Sequence, residues 1–587
     1  MILGLTFSKA LILFTTITIP VYLALLVLSE RTIKKCKKST HSITLSVVII
    51  SLFLMEALTI FLLHATSFGT SSMYPILLLF IVSLLLYILR LSSSSNKIQG
   101  LVLASMVLYH LTLLYSPPSA TSINERTIAI AKLNLEGRWE TSWNFLNPAY
   151  NPFPLDVSLH NAVSMITSIP LISKLSDWTI YLPFIVAYDL VLYSLTKRAT
   201  GSQVAGALAI FILASTPPAN IIYHGPKWIG NFLVLIIALT LIKAFNGFSI
   251  SNIVMASISY TVAILFHPSA AIGVLLPLGI VMFSYLAKRV IKNEIWPNLF
   301  ESKLFYMAFK LFAIVTLVRA IYTTGYSEQI LLSLKSFVLT MFGYVSSSEA
   351  ATPVYDLSVS PVNAYAWTTS VAMASALTIY CVLERKTVEN AFILILYSVG
   401  AIFSFWGLLV AMLKVGFQGA MYPALVFLIP AAATTGERVL KSSRVVSITA
   451  IALLVLSTWV ATSDPMISHV RTWSGDLTPK MEDYTEASFL VKVIPTSENL
   501  LTSYEIGSLF EYLEVIENIN THKYYIAGAD LLRIEVKRVI EGRDVRGNIM
   551  YIWPKWWYPN ITSHLSSESI SVFYDSGRYT IFKGTYP

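Results

Sequence analysis

The sequence predicts an all-α polytopic membrane bundle of about fourteen transmembrane helices, followed by a small C-terminal extracytoplasmic α/β domain. Three observations predict it. The chain has 587 residues, of which 55% are hydrophobic and only 12% charged, half the ~25% charge of an ordinary soluble domain. Its apolar residues come in runs such as Leu11–Leu28 and Ile43–Leu63, long enough for a ~30 Å hydrocarbon core at 1.5 Å per residue. Charge returns only near residue 462, where the apolar runs shorten to strand length.

The apolar windows place spans near 7–29, 43–65, 73–90, 99–116, 177–196, 203–221, 229–245, 252–266, 269–287, 304–323, 363–383, 391–413, 419–436 and 445–462. The first is too long for a signal-peptide core, and Lys9 is the only basic residue near its start, so it reads as a retained span. Basic clusters set the orientation: Arg31 to Lys38; Arg90 and Lys97; Lys197 and Arg198; Lys288, Arg289 and Lys292; Arg385 and Lys386; Arg438, Lys441 and Arg444. With residues 157–170 lying along the membrane instead of crossing it, every cluster falls on one side, which the positive-inside rule makes cytoplasmic. Both chain ends are then outside. The net charge of +9 is topological, and a nucleic-acid partner has no support. Two cysteines, Cys36 and Cys381, are too few for a disulfide framework or a four-ligand zinc site.

This assigns residues 1–462 to a transmembrane domain and 463–587 to an external one, in a multi-pass protein of the plasma membrane. In the tail, Asn499–Ser503, Lys523–Ala527 and Asn548–Ile552 read as strands, with Ile506–Leu513 and Ala529–Ile540 as helices between them. Ser571–Tyr574 and Tyr579–Lys583 flank the turn signal Asp575-Ser576-Gly577 and read as a hairpin. Asn560-Ile561-Thr562 is a glycosylation acceptor triplet on the side where it is usable.

The long external loop 117–177 carries the chemistry. An amphipathic helix runs through Ile128, Ala131 and Leu135 to a capping Gly137. An aromatic and proline-rich stretch follows with Trp139, Trp143, Pro148, Tyr150, Pro152, Phe153 and Pro154, and Val157–Ile169 resumes a helical pattern. Glu125, between Asn124 and Arg126, stands where the fourth span meets the loop. A carboxylate there is placed to take a proton from an acceptor hydroxyl. It equally suits the positive end of a surface helix, and on the residues alone this second role is favoured.

The loop resembles the GT-C superfamily of integral-membrane glycosyltransferases, which includes protein O-mannosyltransferases and lipid A aminoarabinose transferases. Those enzymes carry an acidic motif at the head of a large first external loop, then an amphipathic helix and a proline-rich element. Here Ala129–Trp139 matches the helix and Asn147–Leu155 (NPAYNPFPL) the proline-rich element. The tail, with Phe489-Leu490, Leu501–Tyr504 and Tyr574–Gly577, is similar to that of archaeal-type members. Three departures stand out. Asn124-Glu125 holds one carboxylate where the family has an acidic pair. Three spans precede the one that leads into the loop. Trp556-Trp557 is followed by Tyr558, so the Trp-Trp-Asp motif of oligosaccharyltransferases is missing.

The resemblance implies transfer of a sugar from a polyprenyl-phosphate donor to a glycan, lipid or protein acceptor on the outer face, with membrane lipids as further partners. Glu125 is then the base. Lys227, His224, Arg319 and Lys414 are candidates for the donor phosphate. Asn124, Trp139, Tyr150 and Asp156 belong to the acceptor loop. No cofactor is expected to be tightly bound, because a single carboxylate is a poor ligand set for a hard divalent cation. His267 is a further external-side candidate, and two of these residues have plainer readings: His267-Pro268 marks a helix break, and Lys414 snorkels from a helix end. Arg319 and Asp189 are intramembrane charges and so functional candidates; for Asp189 a partner charge on another helix is expected. Two other functions fit the chain: a secondary transporter, or a non-catalytic GT-C-like scaffold that binds lipid-linked glycan.

Overall fold

The computed structural model describes residues 17–29, 81, 86, 96–113, 155–168, 174–215, 226–247, 250–266, 270–271, 273–275, 278–279, 303–322, 361–383, 418–463, 481–495, 499–503, 510, 513, 523–527, 547–554, 570–575 and 579–586. The chain divides into two compact units. The first holds 1–115, 182–352 and 359–468; the second holds 116–181, 353–358 and 469–587.

The described residues of the first unit are helical apart from the turns at 201–202 and 441–443. After a helical run at 17–29 come α1 (Asn96–Leu113), the greater part of α3 (Lys174–Thr200), α4 (Gln203–Ser215), α5 (Pro226–Gly247), α6 (Ile250–Phe266), α7 (Lys303–Tyr322), α8 (Pro361–Leu383), α9 (Gln418–Leu440) and α10 (Arg444–Ser463). These fall on the expected runs. The runs 43–65 and 391–413 lie outside the described residues. Among the described residues, no helix is long and apolar enough to cross a membrane.

At the centre stands α4. Every residue from Val204 to Ser215 is buried, and its sequence QVAGALAIFILAS is apolar on all sides, as suits either protein or lipid neighbours. It packs against α1, α9 and α10. Small residues permit the approach: a Cβ on Gly206 would meet the Tyr193 ring at 2.7 Å, and one on Gly436 of α9 would meet Leu208 Cδ2 at 2.5 Å.

The outer helices are built inside out relative to a protein in water. On α7 the exposed side chains include Met307, Leu311, Ile314, Leu317 and Val318, recurring at helical spacing along one face. The opposite face buries Phe312 and Arg319. Tyr260 of α6 stacks on Phe312, with centroids 4.4 Å apart, and its hydroxyl lies 2.6 Å from Thr316 Oγ1. Thr316 gives its own proton to the Phe312 carbonyl, so Tyr260 is the donor of that bond. The pattern repeats on α6, which exposes Ile250, Val254, Met255 and Ile258 and buries Ile253, Ala256, Tyr260 and Ala263. On α10, Val445, Ile448 and Leu456 are exposed while Val446, Ser447, Ala450, Leu454 and Ser457 are buried.

Hydroxyls join the inner faces. Thr369 of α8 lies 2.8 Å from Ser457 of α10, and Thr435 of α9 donates to the Met373 carbonyl of α8 at 2.7 Å. Such side chains hold helices together where the apolar effect between them is weak.

The second unit contains α2 (Leu155–Thr167), α11 (Met481–Val493) and a five-stranded sheet. The strands are β1 (Asn499–Ser503), β2 (Lys523–Ala527), β3 (Gly547–Pro554), β4 (Ile570–Asp575) and β5 (Tyr579–Tyr586), in the order β2-β1-β3-β5-β4. All five begin within one residue of their expected positions, and the last three extend past the expected ends. β1 is parallel to both β2 and β3, while β5 is antiparallel to β3 and β4. The expected hairpin is therefore formed, with a register shift between Val572 and Tyr574. Parallel pairs need crossovers, and the helices expected at Ile506–Leu513 and Ala529–Ile540 occupy those connections in sequence. Of these only Phe510 and Leu513 are described, both helical and buried.

Candidate functional site

The loop helix of the second unit forms where the proline-rich element ends. Pro154 stands immediately before α2, and Leu155-Asp156 open it. The backbone places Asp156, expected in the acceptor loop, in the first turn of this helix. The helix covers Leu155–Thr167, two residues earlier at each end than the expected Val157–Ile169. It ends at Ser168, whose φ of 56° is the left-handed turn that closes many helices. Met165 and Ile166, at 71% and 83% exposure, are bare beside that turn. Glu125, Asn124, Trp139 and Tyr150 lie outside the described residues, as do His224, His267 and Lys414.

Lys227 is placed differently from the sequence expectation. That reading set it in a proline-stiffened turn, whereas α5 begins at Pro226 and puts Lys227 in the first helical turn. The physical reason is the proline: its fixed φ suits the first helical position, where its missing N–H is not needed. That signal was present in the sequence. Arg319 sits three residues before the end of α7 with 6% exposure, one step beyond Thr316 along the buried face. α6 is described as far as Phe266, and the helix break expected at His267-Pro268 lies outside the described residues. Of the donor-phosphate candidates, Arg319 alone has its side chain among the described residues. No metal-binding group of acidic, histidine or cysteine side chains occurs among the described residues.

One buried pair stands out, and the sequence supplied only half of it. Asp189 on α3 is fully buried, and its partner is His110 on α1, exposed by 1%. His110 Nδ1 lies 2.9 Å from Oδ1 and 3.0 Å from Oδ2 of Asp189. A carboxylate only accepts, so Nδ1 carries the proton and gives it to both oxygens. Among the described residues, His110 Nε2 has no hydrogen-bond partner. Around the pair, Tyr188 packs on Phe232 of α5 at 6.4 Å between centroids, and Phe184 meets the same ring edge-on at 5.6 Å. His110 stands within an apolar run, VLASMVLYHLTLLY, that gives no sign of charge; only the rule that a buried charge needs a partner pointed to its existence.

No known family profile matches the chain, and no curated protein matches it. Among solved structures it is similar to ArnT from Cupriavidus metallidurans bound to undecaprenyl phosphate, at 11% identity over 81% of this chain and 97% of that one, with a TM-score of 0.43. The apo state of the same protein gives 10% identity, 78% and 93% coverage, and a TM-score of 0.39.

Proposed function

We propose that the chain is an integral-membrane glycosyltransferase of GT-C type. In this reading it moves a sugar from a polyprenyl-phosphate donor to an acceptor on the outer face, with Glu125 as the base. The membrane part is supported by α6, α7 and α10, which each expose a face of large apolar side chains, while α7 buries Arg319 and α10 buries Ser447 and Ser457, the arrangement lipid selects and water opposes.

The transferase part is carried by one observation in the loop. A lone carboxylate heads it, NPAYNPFPL follows, and that element opens directly on a helix that leaves Met165 and Ile166 uncovered, as a helix lying at headgroup depth does. Displacement at the anomeric carbon needs a proton acceptor for the attacking hydroxyl and cations for the departing phosphate. Glu125 fills the first role; Lys227, His224, Arg319 and Lys414 are the candidates for the second. Asn124, Trp139, Tyr150 and Asp156 line the acceptor side, and the tail from residue 463 is the external domain.

Membranes containing the protein, incubated with radiolabelled polyprenyl-phosphate sugars, test the reading directly. A labelled product that depends on the protein supports it. Label that stays wholly on the donor for every sugar offered overturns it.

A secondary transporter is the second reading, favoured by the buried His110–Asp189 pair, since transporters use such groups as proton relays. Proton-driven uptake into vesicles, with no transfer of label, would put this reading first.

A further inference from the structure

Two helix-to-helix turns of the first unit meet at one end of the bundle. The first joins α3 to α4. Gly201 takes φ +71° and its N–H returns to the Lys197 carbonyl at 2.8 Å, after which Ser202 caps α4 by accepting from the Ala205 N–H at 3.2 Å. The second joins α9 to α10 through Lys441, Ser442 and Ser443. Ser202 Oγ donates to Glu437 Oε1 at 2.5 Å, locking the turns together, and Lys441 Nζ reaches the same oxygen at 2.5 Å.

The charges at this junction do not balance. Within the two turns stand Lys197, Arg198, Arg438, Lys441 and Arg444, against the single carboxylate Glu437. That carboxylate is 13% exposed and already committed to Ser202 and Lys441. Arg198, Lys441 and Arg444 are exposed, and Lys197 is half-buried over the Tyr193 ring at 5.8 Å. The apolar stripe of α10 starts beside them: Val445 follows Arg444 at 75% exposure, and Ile448 and Leu456 continue it. Cations above an uncovered hydrocarbon face make a surface with two chemistries, one for a phosphate and one for acyl chains.

We infer that these turns hold the headgroup of an anionic glycerophospholipid, with its phosphate among Arg198, Lys441 and Arg444 and its chains along Val445, Ile448 and Leu456. The inference rests on the membrane part of the proposed function and on nothing in its transferase part. A free phosphate would use the cations and leave the α10 stripe bare, so the stripe selects the lipid. Cations near an anionic surface each strengthen binding by about fivefold.

The test is lipid binding to the full-length protein in detergent, followed by native mass spectrometry. Phosphatidylglycerol and phosphatidylcholine of identical chains are the probes, and inorganic phosphate is the competitor. Phosphatidylglycerol should bind more tightly than phosphatidylcholine by an order of magnitude or more. Arg198→Gln/Arg444→Gln should lose most of that preference, weakening about twentyfold, while Arg198→Lys/Arg444→Lys keeps most of it. Lys310→Gln, which removes an exposed cation of α7, should change nothing. Equal binding of the two lipids by the parent protein overturns the inference, as does full retention by the Gln pair. Complete displacement by millimolar phosphate would make this a free-anion site and overturn the lipid assignment. The parent comparison needs no variant, so it remains decisive if the Gln pair folds poorly. No donor sugar enters the assay, so its outcome is independent of whether the chain transfers sugar.

Discussion

His110 Nδ1 bridges both carboxylate oxygens of Asp189, at 2.9 and 3.0 Å, across 79 residues of sequence. The bond ties α1 to α3 where neither side chain reaches solvent. Removing one partner of a buried hydrogen-bonded pair leaves the other unsatisfied at a cost of about 1–3 kcal/mol, more for a charged group, whereas replacing both with apolar residues is often close to neutral. Asp189→Leu and His110→Leu should therefore each lower stability sharply, and the double variant should recover most of the loss. Thermal unfolding of the four proteins in one detergent checks this. Strictly additive losses would show that the two side chains do not depend on each other.

Glu125 gives the sharpest separation of readings. Loss of a positioned base typically lowers a rate by ~10²–10⁴, while loss of a helix-end charge costs only ~0.3–1 kcal/mol of stability. Glu125→Gln should express normally and transfer sugar at under about one hundredth of the parent rate. Transfer near the parent rate removes Glu125 from the mechanism and makes Asp156 the next carboxylate to test.

Two glycines should respond for different reasons. A Cβ on Gly206 meets the Tyr193 ring at 2.7 and 2.9 Å and its carbonyl oxygen at 3.0 Å, so Gly206→Ala forces α3 and α4 apart. Overpacking of this kind typically costs ~1–3 kcal/mol. Gly201 has open space around it but a φ of +71°, and Gly201→Ala should cost about 1 kcal/mol from backbone strain. If Gly206→Ala proves the milder change in unfolding measurements, the α3–α4 contact is looser than drawn here.

At the α6–α7 contact, Tyr260→Phe removes one hydroxyl while Thr316 keeps its bond to the Phe312 carbonyl. The expected loss is about 0.5–1.5 kcal/mol, that of one hydrogen bond. Phe312→Ala opens a cavity under Tyr260 and should cost ~3–5 kcal/mol. Similar losses for the two would mean that the hydroxyl, not the stacked ring, carries the contact.

Orientation is open to direct measurement. A cysteine at Thr40 should react only after the membrane is permeabilised, and one at Ser566 should react from outside. Equal external labelling at both positions refutes the topology.

What the sequence revealed follows from range. Each helix of the first unit is a local apolar run, so α5 and α8 were visible without knowledge of their neighbours. The strands were equally plain, because Asn499–Ser503 and Lys523–Ala527 are short apolar segments between polar ones. Pairing is another matter. Asp189 announced that it needed a partner, but His110 lies two helices earlier within an unremarkable span. Nothing in QVAGALAIFILAS distinguishes the central helix from an outer one, since hydropathy is the same for lipid and for protein neighbours. The inside-out faces of α7 became visible only when exposure was known residue by residue. At Lys227 the error was one of weighting: the prolines were read as a stiff turn, although Pro226 alone starts a helix.

The sheet order has a consequence for how the chain is made. β5, the last of the described strands in chain order, lies between β3 and β4 and is the only described strand with which β4 pairs. A nascent chain that has delivered β1, β2 and β3 can assemble those three side by side, yet β4 emerges next with no place to dock. It must wait, unpaired, until β5 has been synthesised and inserted. Completion of this sheet therefore waits on the delivery of β5, and a chain halted before Tyr579 leaves β4 exposed to whatever folding helpers surround it.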